Sequence, residues 1–417
     1  MDNFWNYDPL KKRKALFAIL FTLVFLVGFY LRVHDLTQSP PGFYLDEASI
    51  GYNAYSILKT GKDEYGVVWP LFFRAFGEYK NPVFIYSLVP MVALGGLNIE
   101  TIRLGAVVWG SLAILLLGWL AIEMSENRFF ELITALTLVL APWHLHFSRI
   151  AYEAITLPTL LIASLASWIR WRKTKNISWG IGFAIFWVLS FYSYTAARLW
   201  LPLILFLILV LERKRWLKKF QQSLVVTCLI LFFLGLLFFW NRAFPGSLTL
   251  RLNQLAIWGD GVSLKIILAR FWGNFWAHWH PAFLFDQGDL TIRSSSRVSS
   301  ELLKSWAPFL VLGLIAVIKH LRKKTIWQLT LSILVLFPMA SALTKTGPHA
   351  IRTFQAVPFF CLFISLGIYW FLKIFRTFRF RFLVWISIWL VTFLEFSHYY
   401  QHLLSVYPAE SWLPQHG

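Results

Sequence analysis

Residues 11–31, KKRKALFAILFTLVFLVGFYL, place four consecutive basic residues directly before a stretch of seventeen residues without a charge. An apolar stretch of this length can cross the hydrocarbon core of a membrane as a helix, which needs roughly 17–25 residues. The basic residues indicate its cytoplasmic end, because lysine and arginine are enriched on that side. No small-residue cleavage pattern follows, so we expect a retained signal anchor.

The rest of the chain has the same character. Of its 417 residues, 58% are hydrophobic and 14% are charged, whereas a soluble protein has about 25% charged residues. The net charge of +19 suggests nucleic-acid binding at first sight, but 21 of the 39 basic residues fall in five short clusters between apolar segments. Such clusters are typical of orientation signals. The composition therefore predicts an all-α polytopic membrane protein and argues against nucleic acid as a partner.

The positions of the basic clusters predict the topology. They are residues 11–14, 170–175, 212–219, 319–324 and 373–381. If all five are cytoplasmic, an even number of spans separates the first two, yet five apolar segments lie there. The weakest is 82–97, which is short and contains Pro90, and proline interrupts helices. We therefore predict that it forms an interfacial helix within a first outer loop, residues 32–102.

Eleven spans then remain, with the N-terminus inside and the C-terminus outside. They are 15–31, 103–122, 129–147, 154–169, 177–194, 198–211, 224–240, 306–318, 326–343, 354–372 and 382–397. A large outer loop covers residues 241–304, and no separate soluble domain is expected, so residues 1–417 form one membrane-embedded domain. The polar residues that lack a structural explanation lie mostly on the outer face.

Two adjacent carboxylates, Asp46 and Glu47, follow the first span. Neighbouring side chains of a helix point about 100° apart, so one can face a pocket while the other supports it. A partly buried carboxylate is a suitable general base. The alternative is a pair that only stabilises the N-terminus of a helix over 48–58 through its dipole.

Two further groups lie on the same predicted face. Glu78, Tyr79 and Lys80 precede the interfacial helix; lysine suits a phosphate group, and Tyr79 suits a sugar or an acyl chain. The alternative is an ordinary interfacial anchor, since lysine and tyrosine are common at that depth. Arg149 and Glu153 share an outer turn, where the plain alternative is an ion pair four residues apart.

The remaining candidates are histidines, tyrosines and arginines of later outer segments. His278 and His280 have a His-x-His spacing near carboxylates, which permits a divalent metal ion with Glu78 as a further ligand. Another outer turn carries His349 and Arg352, which suit a phosphate or diphosphate group. The turn between two earlier spans carries further candidates for the same pocket: Tyr194 and Arg198.

Taken together, these stretches resemble the GT-C membrane glycosyltransferases, in particular the group of protein O-mannosyltransferases and aminoarabinose (ArnT-like) transferases. The resemblance extends from Pro40 to about Gly367. The matched stretches are Leu45-Asp46-Glu47, Gly77-Glu78-Tyr79-Lys80-Asn81-Pro82, Ile102-Arg103-Leu104, Ser148-Arg149-Ile150-Ala151-Tyr152-Glu153, Phe283-Leu284-Phe285 with Gly288-Asp289, and Ala342-Leu343-Thr344 with His349 and Arg352. Two departures are Glu153, where the family commonly has aspartate, and Asn81-Pro82 in place of a double proline.

The resemblance implies inverting transfer of a sugar from a polyprenyl-phosphate donor to a hydroxyl acceptor, on the outer face of the cell membrane. The acceptor is a protein, a glycolipid or a cell-envelope glycan. By position, Asp46 matches the general base, with Glu47 in support, Glu78 the acid and Lys80 the lysine that binds the lipid phosphate. The further expected phosphate ligands are Arg149, Arg198, His349 and Arg352, and the expected pocket residues are Tyr79, Glu153, Tyr194 and His280.

Two other functions stay open from the sequence. A transporter or flippase of a lipid-linked sugar would place ionisable groups near the membrane midplane and show repeated halves; here the charges gather at one face and no repeat is evident. A non-catalytic protein that binds sugar lipids would tolerate loss of Asp46.

The topology can be tested by cysteine labelling. A cysteine at position 60 should react with an impermeant reagent added from outside, because it lies in the first outer loop. A cysteine at position 173 lies in a cytoplasmic cluster and should not react. Labelling of position 173 from outside would overturn the orientation.

Overall fold

A computed structural model describes residues 4–218, 220–259, 261–296, 300–375 and 377–416. These residues form eighteen α-helices and one two-stranded antiparallel hairpin. The α-helices are α1 (Lys14–Val33), α2 (Leu45–Thr60), α3 (Pro82–Gly95), α4 (Ile99–Ser125), α5 (Arg128–Val139), α6 (Pro142–Phe147), α7 (Thr156–Thr174), α8 (Ile177–Phe191), α9 (Ala197–Lys218), α10 (Phe220–Ala243), α11 (Leu250–Leu255), α12 (Leu264–Ala277), α13 (Ala307–Ala316), α14 (Thr325–Leu336), α15 (Met339–Ala342), α16 (Val357–Ile374), α17 (Phe378–Ser405) and α18 (Tyr407–His416). Short 3-10 or π turns cover Glu153–Ile155, Ala282–Asp286, Ile292–Ser294, Lys304–Trp306, Val317–Leu321 and Ile351–Ala356.

Eight helical stretches of the described residues are long and apolar enough to cross a membrane. They are Lys14–Val33, Ile99–Ser125, Glu153–Thr174, Phe220–Ala243, Lys304–Leu321, Thr325–Ala342, Ile351–Ile374 and Arg379–Ser405. Each overlaps one of the predicted spans. The prediction of an all-α polytopic membrane protein is confirmed.

The three other predicted spans are shorter or less regular. Segment 129–147 is divided into α5 and α6, because Pro142 begins a new helix and Leu140 and Ala141 lie between the two. Helix α8 has 15 residues, and α9 has 22 but ends in the basic residues of the 212–219 cluster. The number of eleven crossings therefore stays a prediction.

Residues 32–102, predicted as the first outer loop, contain the helices α2 and α3 and a hairpin that the sequence analysis did not predict. Helix α3 packs against α2 and α4. Strands β1 (Phe73–Ala75) and β2 (Glu78–Lys80) are joined by the two residues Phe76 and Gly77, which have φ angles of 51° and 74°. Two residues with positive φ fit the tight hairpin turns that match strand twist. Because side chains alternate along a strand, Glu78 and Lys80 share one face of β2.

Two buried arginines hold the irregular backbone between α1 and α2. Arg103 of α4 and Arg149, which follows α6, both have 0% exposure. Arg103 donates to the carbonyl oxygens of Leu36, Pro40 and Gly42. Arg149 donates to those of Leu31, Arg32, Asp35 and Ser39. A guanidinium carries five N–H donors, so two side chains satisfy seven backbone carbonyls and thereby position the start of α2.

Candidate active site

A cavity of about 480 Å³ lies between the start of α2, the hairpin, the start of α9 and the outer loops. Nine of the thirteen predicted site residues line it. They are Asp46, Glu78, Tyr79, Lys80, Glu153, Tyr194, Arg198, His349 and Arg352. The structure thus brings together residues from five separate stretches of sequence, while the roles assigned to them stay predictions.

Lys80 is the centre of the charged wall of this cavity. Its ammonium Nζ lies 2.6 Å from Asp46 Oδ1 and 2.8 Å from Glu78 Oε1. The other oxygen of Glu78 lies 2.9 Å from Arg251 Nη1. Burial works against the charged ammonium, but Asp46, Glu153 and Glu78 together outweigh it and raise the pKa of Lys80. Lys80 is therefore a permanent cation held in a fixed position.

Asp46 and Glu47 occupy the first turn of α2 but face different surroundings. The Asp46 side chain is 32% exposed in the cavity. No donor among the described residues contacts its second oxygen, Oδ2. Its Oδ1 is fixed by Lys80, which leaves Oδ2 available to a ligand.

Glu47 is fully buried and does not line the cavity, so of the two adjacent carboxylates it is the one that cannot contact a substrate directly. Its carboxylate forms a two-point ion pair with Arg103, at 3.1 and 3.0 Å. It also accepts from the backbone N–H groups of Tyr44 and Ala151. Since both oxygens are engaged, Glu47 anchors α2 and supports the orientation of Asp46.

Arg149 also needs correction as a ligand of the donor phosphate. It does not line the cavity, and its guanidinium is engaged by backbone carbonyls. The alternative of an ion pair with Glu153 does not apply either, because Glu153 bonds to Asn81. Arg149 is a structural residue under the site.

Asn81, the departure from the double proline, links three parts of the wall. Its backbone N–H and its Nδ2 donate to Glu153 at 2.5 and 2.7 Å. Its side-chain oxygen accepts from Arg198 at 2.6 Å. A proline at this position has neither donor, so Asn81 gives this chain a connection between β2, the start of α7 and the start of α9.

The proposed metal ligands do not converge. His280 is exposed outside the cavity, and its Nδ1 accepts from the N–H of Ala282. In His278, Nδ1 bonds to the Asn274 carbonyl and Nε2 accepts from the N–H of His349, while burial lowers its pKa to about 4. No group of three potential ligands for a metal occurs in the part of the chain that the structure describes. The prediction that Glu78, His278 and His280 bind a metal ion together is therefore corrected. The prediction of His280 as a pocket residue is corrected as well.

His349 and Arg352 also line the cavity and are positioned by neighbours. His349 Nδ1 lies 3.1 Å from Asp289 Oδ2. Burial would raise the pKa of Asp289, but His349 and two backbone N–H groups outweigh it and lower that pKa. Arg352 Nη1 contacts Thr344 Oγ1 at 2.7 Å and Thr346 Oγ1 at 2.9 Å. The Arg352 guanidinium has no ion pair with a carboxylate among the described residues.

Two arginines of the cavity were not predicted, Arg251 and Arg293. Both belong to residues 241–304, the segment predicted as the large outer loop, where single basic residues carry no spacing pattern that would distinguish them. Arg251 is the second residue of α11, and this short helix packs against β2. Only that long-range contact shows that Arg251 belongs to the site.

The lining of the cavity divides into charged and apolar side chains. Five lysine or arginine side chains and only three carboxylates line it, an excess of two positive charges. Tyr194 also lines the cavity. Burial raises the pKa of its phenol to about 12, so this hydroxyl stays a hydrogen-bond donor. The apolar part of the lining belongs mainly to α8 to α11 and comprises Phe191, Leu199, Leu237, Leu248 and Leu252. This division suits a ligand with an anionic head and a hydrocarbon tail.

Comparison with solved structures identifies the fold. ArnT from Cupriavidus metallidurans, solved with undecaprenyl phosphate, matches with a TM-score of 0.57 and 14% identity, over 84% of this chain and 60% of ArnT. AglB from Archaeoglobus fulgidus, an archaeal oligosaccharyltransferase solved with an inhibitory peptide and a dolichol-phosphate, matches with a TM-score of 0.60 and 13% identity, over 96% of this chain and 56% of AglB. No protein-family model matches, and neither does any curated protein.

Both neighbours are GT-C membrane glycosyltransferases, and the chain has the GT-C fold, as the sequence resemblance predicted. The chain spans less than two thirds of either protein. At such low sequence identity, the structural similarity establishes the shared fold, and the reaction has to be argued from the site.

The different settings of Asp46 and Glu47 can be tested by two equivalent substitutions. Glu47→Gln leaves Arg103 as a buried charge without its partner, which should lower the free energy of unfolding by about 3–5 kcal/mol. Asp46→Asn changes a partly exposed carboxylate and leaves Lys80 paired with Glu78, so it should lower this free energy by less than Glu47→Gln does. Thermal unfolding of the purified variants in detergent measures both. Equal losses would mean that Glu47 has no special anchoring role.

Proposed function

We propose that the protein transfers a sugar from a polyprenyl-phosphate donor to a hydroxyl acceptor, with inversion at the anomeric carbon. The observation that carries this proposal is one carboxylate, Asp46, fixed by a lysine at the edge of a cavity that has surplus positive charge and an apolar wall. The GT-C fold supports it, since ArnT was solved with undecaprenyl phosphate and AglB with a dolichol-phosphate.

The net positive charge of the cavity matches the charge of the released phosphate better than that of the intact donor. A sugar-phosphate diester has one negative charge, whereas the released monoester has about −1.5 to −2 at neutral pH. An excess of two cations therefore attracts the product phosphate more strongly than the ground-state donor. Interactions that grow as charge develops on the leaving group lower the barrier of the chemical step.

The geometry suggests where the phosphate lies. Inverting displacement requires the nucleophile and the leaving group on opposite faces of the anomeric carbon. The phosphate therefore does not sit against Asp46, and we assign Arg352 and Arg198, which line the same cavity and have no contact with Asp46 among the described residues, as its ligands, together with Tyr194 and His349. Lys80 lies between the base and the phosphate and has one N–H left after its bonds to Asp46 and Glu78.

The reaction then follows from these positions. The acceptor hydroxyl oxygen attacks the anomeric carbon while its proton passes to Asp46 Oδ2, acting as general base. The bond from the anomeric carbon to the phosphate oxygen breaks, and both its electrons leave with the polyprenyl phosphate. Because the leaving group departs as an anion, Glu78 does not need to protonate it. We assign Glu78 the role of holding Lys80 and Arg251 instead.

The positive-inside pattern supports an active site on the non-cytoplasmic side of the cell membrane. We propose acceptors that are available there, namely a protein hydroxyl, a glycolipid or a cell-envelope glycan.

Asp46→Asn tests the general base. In membranes supplied with a polyprenyl-phosphate sugar, it should lower the transfer rate by about 10²–10⁴-fold, the usual contribution of a positioned general base. Binding of the donor should change little. Asp286→Asn is the matched control, because Asp286 pairs with Lys304 outside the cavity. Full turnover by Asp46→Asn would contradict the assignment, and donor binding without any transfer by the wild type would favour a sugar-lipid binding protein.

Arg352→Gln tests the phosphate site. Loss of this cation should lower kcat/KM for the donor by roughly tenfold or more, since a charge-assisted bond contributes about 1.5–3 kcal/mol. Lys345→Gln removes a charge from the same turn without touching the cavity and should leave kcat/KM unchanged. If both variants behave alike, Arg352 acts only through the general charge of the outer surface.

A further inference from the structure

A second cavity, of about 310 Å³, lies at the other end of the helices that form the first one. It is enclosed by the last turns of α7 and α9 and the first turn of α10. The active-site cavity is instead lined at the start of α9 and towards the end of α10. Helix α9 has 22 residues, so the two cavities are separated by roughly 30 Å, the length of such a helix.

The walls of this second cavity are strongly cationic. Arg172, Lys175, Arg215 and Lys218 line it, against the single carboxylate of Glu212. Glu212 is buried and pairs with Arg172 at 2.9 Å and with Arg215 at 3.9 Å. Lys175 and Lys218 are exposed and have no ion pair among the residues that the structure describes. The cavity thus has an excess of three positive charges, two of them on lysines available to a ligand.

The floor of the cavity is aromatic. The rings of Trp171 and Trp216 meet edge to face at 6.0 Å, and the guanidinium of Arg172 lies 4.8 Å from the ring of Trp168. The indole N–H of Trp171 donates to Gln222, which fixes the first turn of α10 against α7. Tryptophans and basic residues at one depth are typical of the level of lipid headgroups.

The apolar surface beside the cavity indicates where a lipid tail would lie. Leu211 near the end of α9, and Phe220 and Leu224 at the start of α10, are 37%, 64% and 47% exposed. These residues flank the cationic walls on the same helices. A free soluble anion would use the charges of the cavity but not this surface.

We propose that the second cavity binds the phosphate of an anionic phospholipid, with Lys175, Arg215 and Lys218 as its ligands and the acyl chains along α9 and α10. It lies on the face that the positive-inside pattern assigns to the cytoplasm, opposite the catalytic site. Because α9 and α10 line both cavities, a lipid bound here stabilises the packing of the helices that carry Arg198 and part of the apolar wall. The inference does not depend on the proposed glycosyl transfer.

Native mass spectrometry of the full chain tests this site. The protein is titrated with phosphatidylglycerol and with phosphatidylcholine of the same acyl chains. One phosphatidylglycerol should be retained per chain, in preference to phosphatidylcholine. Lys175→Glu with Lys218→Glu should weaken this binding by roughly tenfold, because reversal of two basic residues removes attraction for an anionic lipid.

Lys319→Glu with Lys323→Glu is the matched control, since both lysines are exposed in another basic cluster of the same predicted face and lie outside the cavity. It should bind phosphatidylglycerol like the wild type. An equal loss in the control, or equal retention of the two lipids by the wild type, would overturn the proposal. Saturation of the site by inorganic phosphate alone, with displacement of the lipid, would also overturn it in favour of a soluble anion.

The double variant is compared with Lys175→Ala and Lys218→Ala, which remove charge without reversing it. Thermal unfolding without lipid shows whether each variant is folded, and phosphatidylglycerol should raise the unfolding temperature of the wild type and the control. A folded alanine variant that still gains wild-type stabilisation from phosphatidylglycerol would contradict the assigned ligands.

Discussion

The candidate site depends on the hydrogen bonds that Arg103 and Arg149 donate to backbone carbonyls at the end of α1 and between α1 and α2. Irregular backbone at the level of a membrane is tolerated only where its polar groups are satisfied within the protein. These two side chains satisfy seven carbonyl groups of residues 31–42. Arg103 additionally pairs with Glu47, one residue after Asp46. The orientation of the candidate base therefore rests on charges that never face the substrate.

Polar contacts extend from this anchor through the rest of the site. Lys80 connects α2 to the hairpin through Asp46 and Glu78, and Arg251 connects the hairpin to α11. Asn81 then connects the hairpin to Glu153 and Arg198. A wall joined in this way positions charge before the substrate arrives, which is how electrostatic stabilisation of a transition state is most effective.

Sequence reasoning predicted the class of fold and most of the cavity but not the role of every charge. Hydrophobic length and basic clusters report the spans directly, and the matched stretches led to the GT-C fold that the solved structures confirm. The separate roles of adjacent residues were harder to predict, because Asp46 and Glu47 are both carboxylates and differ mainly in the direction of their side chains. Arg149 was misassigned for the same reason, since a buried arginine that binds carbonyls and one that binds phosphate have the same sequence signature. Arg251 belongs to the site because of a contact between distant segments of the chain, which no local sequence pattern indicates.

The most direct test of the account is a structure of the protein in lipid with a bound polyprenyl phosphate. We expect density for the phosphate inside the cavity, in contact with Arg352 and Arg198 and across the cavity from Asp46, with the prenyl chain along Leu199 and Leu237. A phosphate bound outside this cavity, or against Asp46 itself, would contradict the proposed division between the base and the leaving-group site.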